Sequence, residues 1–437
     1  MSDAVPLPPR PSIDYYRKLA KDLQHACESG TEAAVREWAM RWIETLAQLR
    51  KDTIPPGALR REVDRLTRRW NEAWQTSERS AQCLLADAQF FVAREHGFAS
   101  WPKFAAHVES LQRHDSPVSH FESAAEAIVH GDTAQLAKLL EEHPQLVHER
   151  STRDHHSTLL HYVSANGIED FRQQTPKNIV EITKMLLDAG ADVNAVSDAY
   201  GGGSTTLGLA ATSIHPEQAG VQIALLETLL AHGAQIEQPG LTGNGQNAIG
   251  GCLANGQGAA ARFFASRGAR MNFEEAAGVG RLDVVKEQFD EQGQLKPGVT
   301  PQQMEAAFMY ACGYGYPDVV QFLLERGADP RTSNNRGQTG LHWAMYGPHL
   351  EVVQILLRHR APLNARDAMG STALHWALKG WAMTSEADER ERYYEIAALV
   401  VNAGADVDLE HLERDERRGR VADKVRGDAR MRSALGM

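Results

Sequence analysis

Along most of the chain apolar residues return at spacings of three and four, the signature of helices that bury one face. In the first 115 residues the stretches Ser12–Glu28, Glu32–Leu49, Leu59–Trp74 and Ser80–Glu95 follow this rule. They are separated by Ser29-Gly30, by Ile54-Pro-Pro-Gly57 and by Gln75–Glu78, so four helices are predicted. Gly97-Phe-Ala-Ser-Trp-Pro-Lys-Phe104 then ends one helix and opens another, with Ser100 as N-cap and Pro102 in the first turn. His114–Ser119 reads as a linker.

From there a period takes over. Gly337-Gln-Thr-Gly-Leu-His-Trp-Ala344 recurs 33 residues later as Gly370-Ser-Thr-Ala-Leu-His-Trp-Ala377. Ser157-Thr-Leu-Leu-His-Tyr-Val163 has the same frame, and Ser204-Thr-Thr-Leu-Gly-Leu-Ala-Ala211 keeps it with glycine in place of histidine. Each copy is followed by a second apolar run that stops at glycine, as in Val319-Val-Gln-Phe-Leu-Leu-Glu-Arg-Gly-Ala-Asp329. Gly190, Gly233, Gly268, Gly327 and Gly404 occupy the slot where a helix end calls for a left-handed residue, and Arg360 departs from it. Gly190 to Gly233 spans 43 residues and Arg360 to Gly404 spans 44. Insertions are therefore placed near 168–178, 214–220 and 380–392, the last charge-rich and expected to lengthen a helix.

The period and register resemble the ankyrin repeat, most closely over Met304–Glu410 and Ser157–Asn194, and more weakly at 121–150, 246–272 and 273–302. Proline is missing from the Thr-Pro step in every copy, where Gly340, Ala373, Leu159 and Thr206 stand instead. The N-terminal stretch, with its Gly-Phe-x-Ser-Trp turn, is similar to the helical preamble of certain bacterial ankyrin proteins. The resemblance implies an all-α fold, an ankyrin-repeat solenoid preceded by a small helical domain. Its expected parts are a helical module over 1–115, seven to eight repeat units over 120–410, and a charged helical cap over 411–437.

Composition adds limits. The 437 residues are 42% hydrophobic and 24% charged, a foldable chain in which no apolar run approaches the about 18 residues of a membrane span. Met1–Arg10 is proline-rich and lacks a leader pattern, so the cytoplasm is the expected location. The four cysteines, Cys27, Cys83, Cys252 and Cys312, are widely spaced and read as reduced, mostly buried thiols. The net charge of −11 is uneven: +1 over 1–115, +3 over 411–437 and −15 between them. An acidic array repels phosphate, which argues against nucleic acid and for a basic protein partner.

Candidate chemistry is sparse. His161, His342 and His375 follow the leucine of the helix start, where the family uses histidine to bond backbone between neighbouring turns. Trp343 and Trp376, 33 residues apart, are expected to pack between adjacent helices. His155 and His156 read as a solvated turn. Gly243-Asn-Gly-Gln-Asn-Ala248 satisfies a dinucleotide fingerprint but lacks the preceding strand it needs, and reads as a repeat turn. Arg60, Arg61, Arg65, Arg68 and Arg69 are interleaved with Glu62 and Asp64 and read as a solvated helix face. No metal or cofactor is expected.

The fold implies a non-catalytic module that binds a protein partner on its concave face. By register the exposed tips are Asn335, Arg336, Gln338, Ala368, Met369 and Ser371, and the first helices add Tyr314, Tyr346 and Lys379. Tyr314 and Tyr346 can equally cover the next repeat. Two alternatives stand beside this reading: an enzyme with a site in the N-terminal module or beside the insertions, and an immunity-type protein that neutralises a toxin.

Overall fold

The structure is a computed structural model and describes residues 4–75, 83–113, 115–237, 246–413 and 416–437. Helices dominate it. Among the described residues the strands are one short antiparallel pair, β1 (Val196–Ser197) and β2 (Ser204–Thr205), with Val196 opposite Thr205. None of the described helices is long and apolar enough to cross a membrane.

Five helices open the chain: α1 (Ile13–Glu28), α2 (Glu32–Arg50), α3 (Pro56–Gln75), α4 (Leu85–Glu95) and α5 (Trp101–Leu111). The punctuation read from sequence sets most of their ends. Thr31 Oγ1 accepts the Ala34 N–H at the start of α2, and Ser100 Oγ accepts the Lys103 N–H at the start of α5. The expected helix start at Ser80 lies outside the described residues. Rings fill the core between these helices, with Tyr16, Trp38, Trp42, Phe98 and Phe104 all nearly inaccessible. His96 lies among them, stacked on Phe104 at 4.9 Å, and its Nδ1–H donates to Val5 O at 2.7 Å.

Paired helices follow. They are α6 (Pro117–His130) with α7 (Thr133–Glu142), the 3₁₀ turn Leu159–Ser164 with α8 (Ile179–Asp188), and α9 (Thr206–Ala211) with α11 (Gln222–Ala231), between which lies α10 (Ile214–Gln218). Next are α12 (Ala248–Ala254) with α13 (Gly258–Ser266) and α14 (Phe273–Gly278) with α15 (Leu282–Lys286). Then come α16 (Pro301–Tyr314) with α17 (Pro317–Glu325), α18 (Gly340–Tyr346) with α19 (Leu350–Arg358), and α20 (Ala373–Met383) with α21 (Ala387–Asn402). The chain closes on α22 (Leu409–Glu413), α23 (Glu416–Gly427) and α24 (Ala429–Ala434).

Two compact units emerge, Met1–Gly251 and Cys252–Met437. In the first, the stretch read as a linker is a cap instead. Ser116 Oγ accepts the Ser119 N–H at 3.1 Å and donates to Ser110 O at 2.7 Å, so it starts α6 while tying it to the end of α5. Residue 114 lies outside the described residues.

The first unit also corrects the reading of the cysteines. Cys27, at the end of α1, is joined to Cys83, just before α4, as a disulfide with the Cα atoms 6.1 Å apart. The bridge closes a span of 56 residues and should stabilise this unit by about 2–4 kcal/mol. Urea unfolding with and without a reductant checks this; identical midpoints, with the bridge verified by mass spectrometry, would contradict it. Cys252 and Cys312 are buried thiols, and burial pushes the pKa of both up.

In the second unit the first helices α14, α16, α18 and α20 pack side by side, with α15, α17, α19 and α21 behind them. The 33-residue register becomes a core: Phe308, Leu341 and Leu374 are equivalent and buried, as are Ala311, Ala344 and Ala377. Gly327 and Gly404 take the left-handed φ values of 97° and 99° at the ends of α17 and α21, and Arg360 adopts φ 58° at the same place, against its steric preference. The insertion near 380–392 lengthens two helices, giving α20 eleven residues against seven in α18, and α21 sixteen against nine in α19. The added turns are held by the closing helices, where the Tyr394 hydroxyl donates to Asp428 Oδ2 at 3.0 Å and Lys424 Nζ to Ala382 O at 2.6 Å. Met431 and Leu435 seal the end of the core.

Candidate functional site

The tips are held by hydrogen bonds repeated through the register. At the start of α18 the Thr339 N–H donates to His342 Nδ1 at 3.1 Å, which leaves the proton on Nε2 to donate to Ser371 O at 3.2 Å in the next tip. His375 accepts from the Thr372 N–H at 3.0 Å and donates to Asp408 O at 2.7 Å. In the first unit His161 accepts from the Thr158 N–H and donates to Ser204 O. All three histidines therefore bridge neighbouring turns as the repeat resemblance implies. Burial lowers the pKa of each, His161 to about 4.

The 332–338 tip is made rigid from within. Asn334 Oδ1 accepts the N–H groups of Arg336 and Gln338 at 2.9 and 3.1 Å, and Asn334 Nδ2 donates to Gln338 Oε1 at 2.8 Å. Asp367, 33 residues on, repeats the device by accepting from the N–H groups of Met369 and Ser371, both at 2.9 Å. The Ala368 N–H donates to Arg336 O at 2.8 Å and so fastens one tip to the next. A loop fixed this way loses little freedom when something binds it.

Beside this tip lies a cavity of about 930 Å³. Its floor is one stripe of α16, residues 302, 305, 306, 309, 310, 313 and 314, which share a face because they advance by three and four. Leu253, Ala254 and Gly256 form one wall, and Trp343 and Tyr346 of α18 with residues 332–336 and Gln338 of the tip form the other. The Tyr314 hydroxyl donates to Leu253 O and closes the first wall onto the floor. Gly258 is required there, because a Cβ on it would sit 2.8 Å from the Tyr314 ring.

Five of the nine residues expected from the register line this cavity: Tyr314, Asn335, Arg336, Gln338 and Tyr346. Tyr314 covers a neighbouring repeat and lines the cavity at once, and Tyr346 is 37% exposed. Ala368, Met369 and Lys379 are exposed but outside the cavity, Met369 at 67%. Ser371 is a correction: expected on the exposed face, it is 6% exposed, with its Oγ 3.1 Å from His411 Nε2. The tip turns it inward because its backbone serves both Asp367 and His342.

Tyr310 and Glu305 were not anticipated as lining residues. The signal was present, since Tyr310, Trp343 and Trp376 stand at 33-residue intervals. Trp343 and Trp376 do pack edge to face at 5.3 Å, as expected, yet Trp343 is half-buried and faces the cavity. Burial, together with the carboxylates of Glu275 and Glu274, raises the pKa of the Tyr310 hydroxyl. Trp376 Nε1–H donates to Asp367 Oδ2 at 3.0 Å; that bond and the Ser371 N–H outweigh burial and hold the Asp367 carboxyl below its usual range.

The first unit holds a different cluster, centred on the insertion near 168–178. Arg153 and Arg172 are buried, and so are Glu122 and Glu169. Arg172 Nη1 lies 2.8 Å from Glu122 Oε2 and donates to Glu169 Oε1 at 3.3 Å, while its Nε and Nη2 reach Glu126 Oε1. Arg153 Nη1 donates to Glu122 Oε1 at 2.9 Å. Burial alone would raise the Glu122 carboxyl, but Arg153 and Arg172 hold it at about 2. The expected solvated turn is half right. His156 is exposed and 2.7 Å from Asp198 Oδ2, whereas His155 is buried with Nε2 3.6 Å from Glu169 Oε1. The insertion folds back over His155 and shuts water out. A cavity of about 430 Å³ borders the cluster, walled partly by Leu7–Pro11. Two guanidinium groups against the carboxylates of Glu122, Glu169 and Glu126 leave no surplus positive charge to capture an anion.

Among the described residues no three His, Cys, Asp or Glu side chains converge as metal ligands. Of the fingerprint-like Gly243–Ala248 stretch, residues 243–245 lie outside the described residues. Residues 308–411, which take in the second half of α16 and all of α18, match the model of ankyrin repeats in three copies, and such repeats indicate a protein-interaction module.

Proposed function

We propose that this chain is a non-catalytic interaction protein that holds an extended segment of a protein partner along the concave face of its repeats, in the cavity floored by α16. One observation carries the reading: residues chosen by register alone, Tyr314, Asn335, Arg336, Gln338 and Tyr346, line a single cavity of about 930 Å³. Its mixture of tyrosine, tryptophan and arginine on a fixed frame is the composition of interface hot spots. The exposed Ala368, Met369 and Lys379 continue the surface along the next repeat. A basic partner is favoured by the acidic array, whose charge is −10 over 116–251 and −5 over 252–410. The same charge disfavours nucleic acid.

Affinity capture from the native cell tests the proposal, comparing the wild type with Tyr346→Arg and with Glu325→Arg on the exposed side of α17. A partner held in the cavity should be lost from the first variant, with binding weakened by about 30-fold or more for a hot-spot position, and kept by the second. Equal capture by both variants would overturn it.

A further inference from the structure

The cavity says more about its occupant than that it is a polypeptide. Four rings line it, Tyr310, Tyr314, Trp343 and Tyr346, and aromatic faces attract cations. Glu305 lines the same cavity, is exposed, and has no ion-pair partner among the described residues. Glu274 and Glu275 lie close enough to Tyr310 to act on its hydroxyl. Glu275 is occupied, accepting the Asn272 N–H at the start of α14, but Glu274 Oε2 is buried without a hydrogen-bond partner. Glu305 is the carboxylate lining the cavity beside these rings, and the cationic residue lining it is Arg336, on the tip.

An aliphatic anchor would fill the space but would strip water from Glu305 without replacing it, a cost with no return. A cation satisfies the rings and the carboxylate together. Resting on the reading of this cavity as the docking site, we propose that it selects an extended segment that inserts an arginine or lysine side chain between Tyr310 and Trp343, with Glu305 as counter-charge. Arg336 then donates to main-chain carbonyls of the same segment.

A random twelve-residue peptide display library panned against the full chain tests this, with Tyr346→Arg as the blocked-cavity control and Glu305→Gln as the probe of charge. Both positions are exposed, and circular dichroism confirms that the variants fold. The expected result is a set of peptides that require an open cavity, share arginine or lysine at one aligned position, and bind Glu305→Gln about 5–10-fold more weakly. Cavity-dependent peptides aligned on aromatic or aliphatic residues, bound equally by Glu305→Gln, would overturn the cationic anchor while leaving the docking site standing. Peptides indifferent to Tyr346→Arg, or none at all, would overturn the docking site and the anchor with it.

Discussion

Lowering the pH from 7.5 to 5 should remove about 6 kcal/mol of stability from the first compact unit, about 2 kcal/mol for each of three buried histidines. Burial drives His96 down to about 3 and His107 and His161 to about 4. His96 and His107 are depressed further by the charge of Arg153, and His107 Nδ1 lies 2.7 Å from Thr152 Oγ1. In His161, Nδ1 already accepts a backbone N–H, so a second ring proton would break that bond. Each folded pKa lies below the unfolded value of 6.5. The unfolded chain therefore takes up protons first, so the stabilisation is complete above 6.5 and is lost as the pH falls from 6.5 toward 4. Urea midpoints for this unit at the two pH values measure the effect. Equal midpoints would mean that these rings are hydrated and free to charge.

Arg172→Met is expected to cost about 3–5 kcal/mol, because it leaves two buried carboxylates, Glu122 and Glu169, to share the one remaining guanidinium of Arg153. Glu122 and Glu169 both depend on Arg172, and Glu169 also accepts the Tyr162 hydroxyl at 3.4 Å. Methionine keeps most of the volume, so the loss reports charge rather than a hole. Pairing it with Glu169→Gln completes a cycle in which the double variant should lose less than the sum of the singles, since the second change removes an orphan made by the first. A loss under about 1 kcal/mol for Arg172→Met would show the cluster to be solvated.

How much of this was legible depends on whether a residue obeyed a period. The 33-residue register foretold the equivalence of Leu341 and Leu374, the bridging histidines, and even the awkward place of Arg360, because each repeat faces the same neighbours. The same register reached five cavity residues and, followed one helix further back, would have reached Tyr310. The Arg153–Arg172 cluster was opaque because Arg153, Glu169 and Arg172 come from turns and a short 3₁₀ segment, where a charged residue reads as solvated until the chain is seen folding over it. Cys27 and Cys83 failed for a related reason: no spacing rule links two cysteines 56 residues apart that helix packing brings together. Ser371 shows the limit of a register, which gives the position of a residue but not the direction its backbone bonds impose on it.

The central claim is that partners dock on the first-helix face of the second unit. Hydrogen exchange of the full chain, with and without a bound peptide selected for affinity, tests it most directly. The account predicts slowed exchange in 302–314 and 332–346, the floor and the far wall of the cavity, with Pro317–Glu325 and Leu350–Arg358 unchanged. Protection confined to those two second helices, with the α16 stripe untouched, would contradict it.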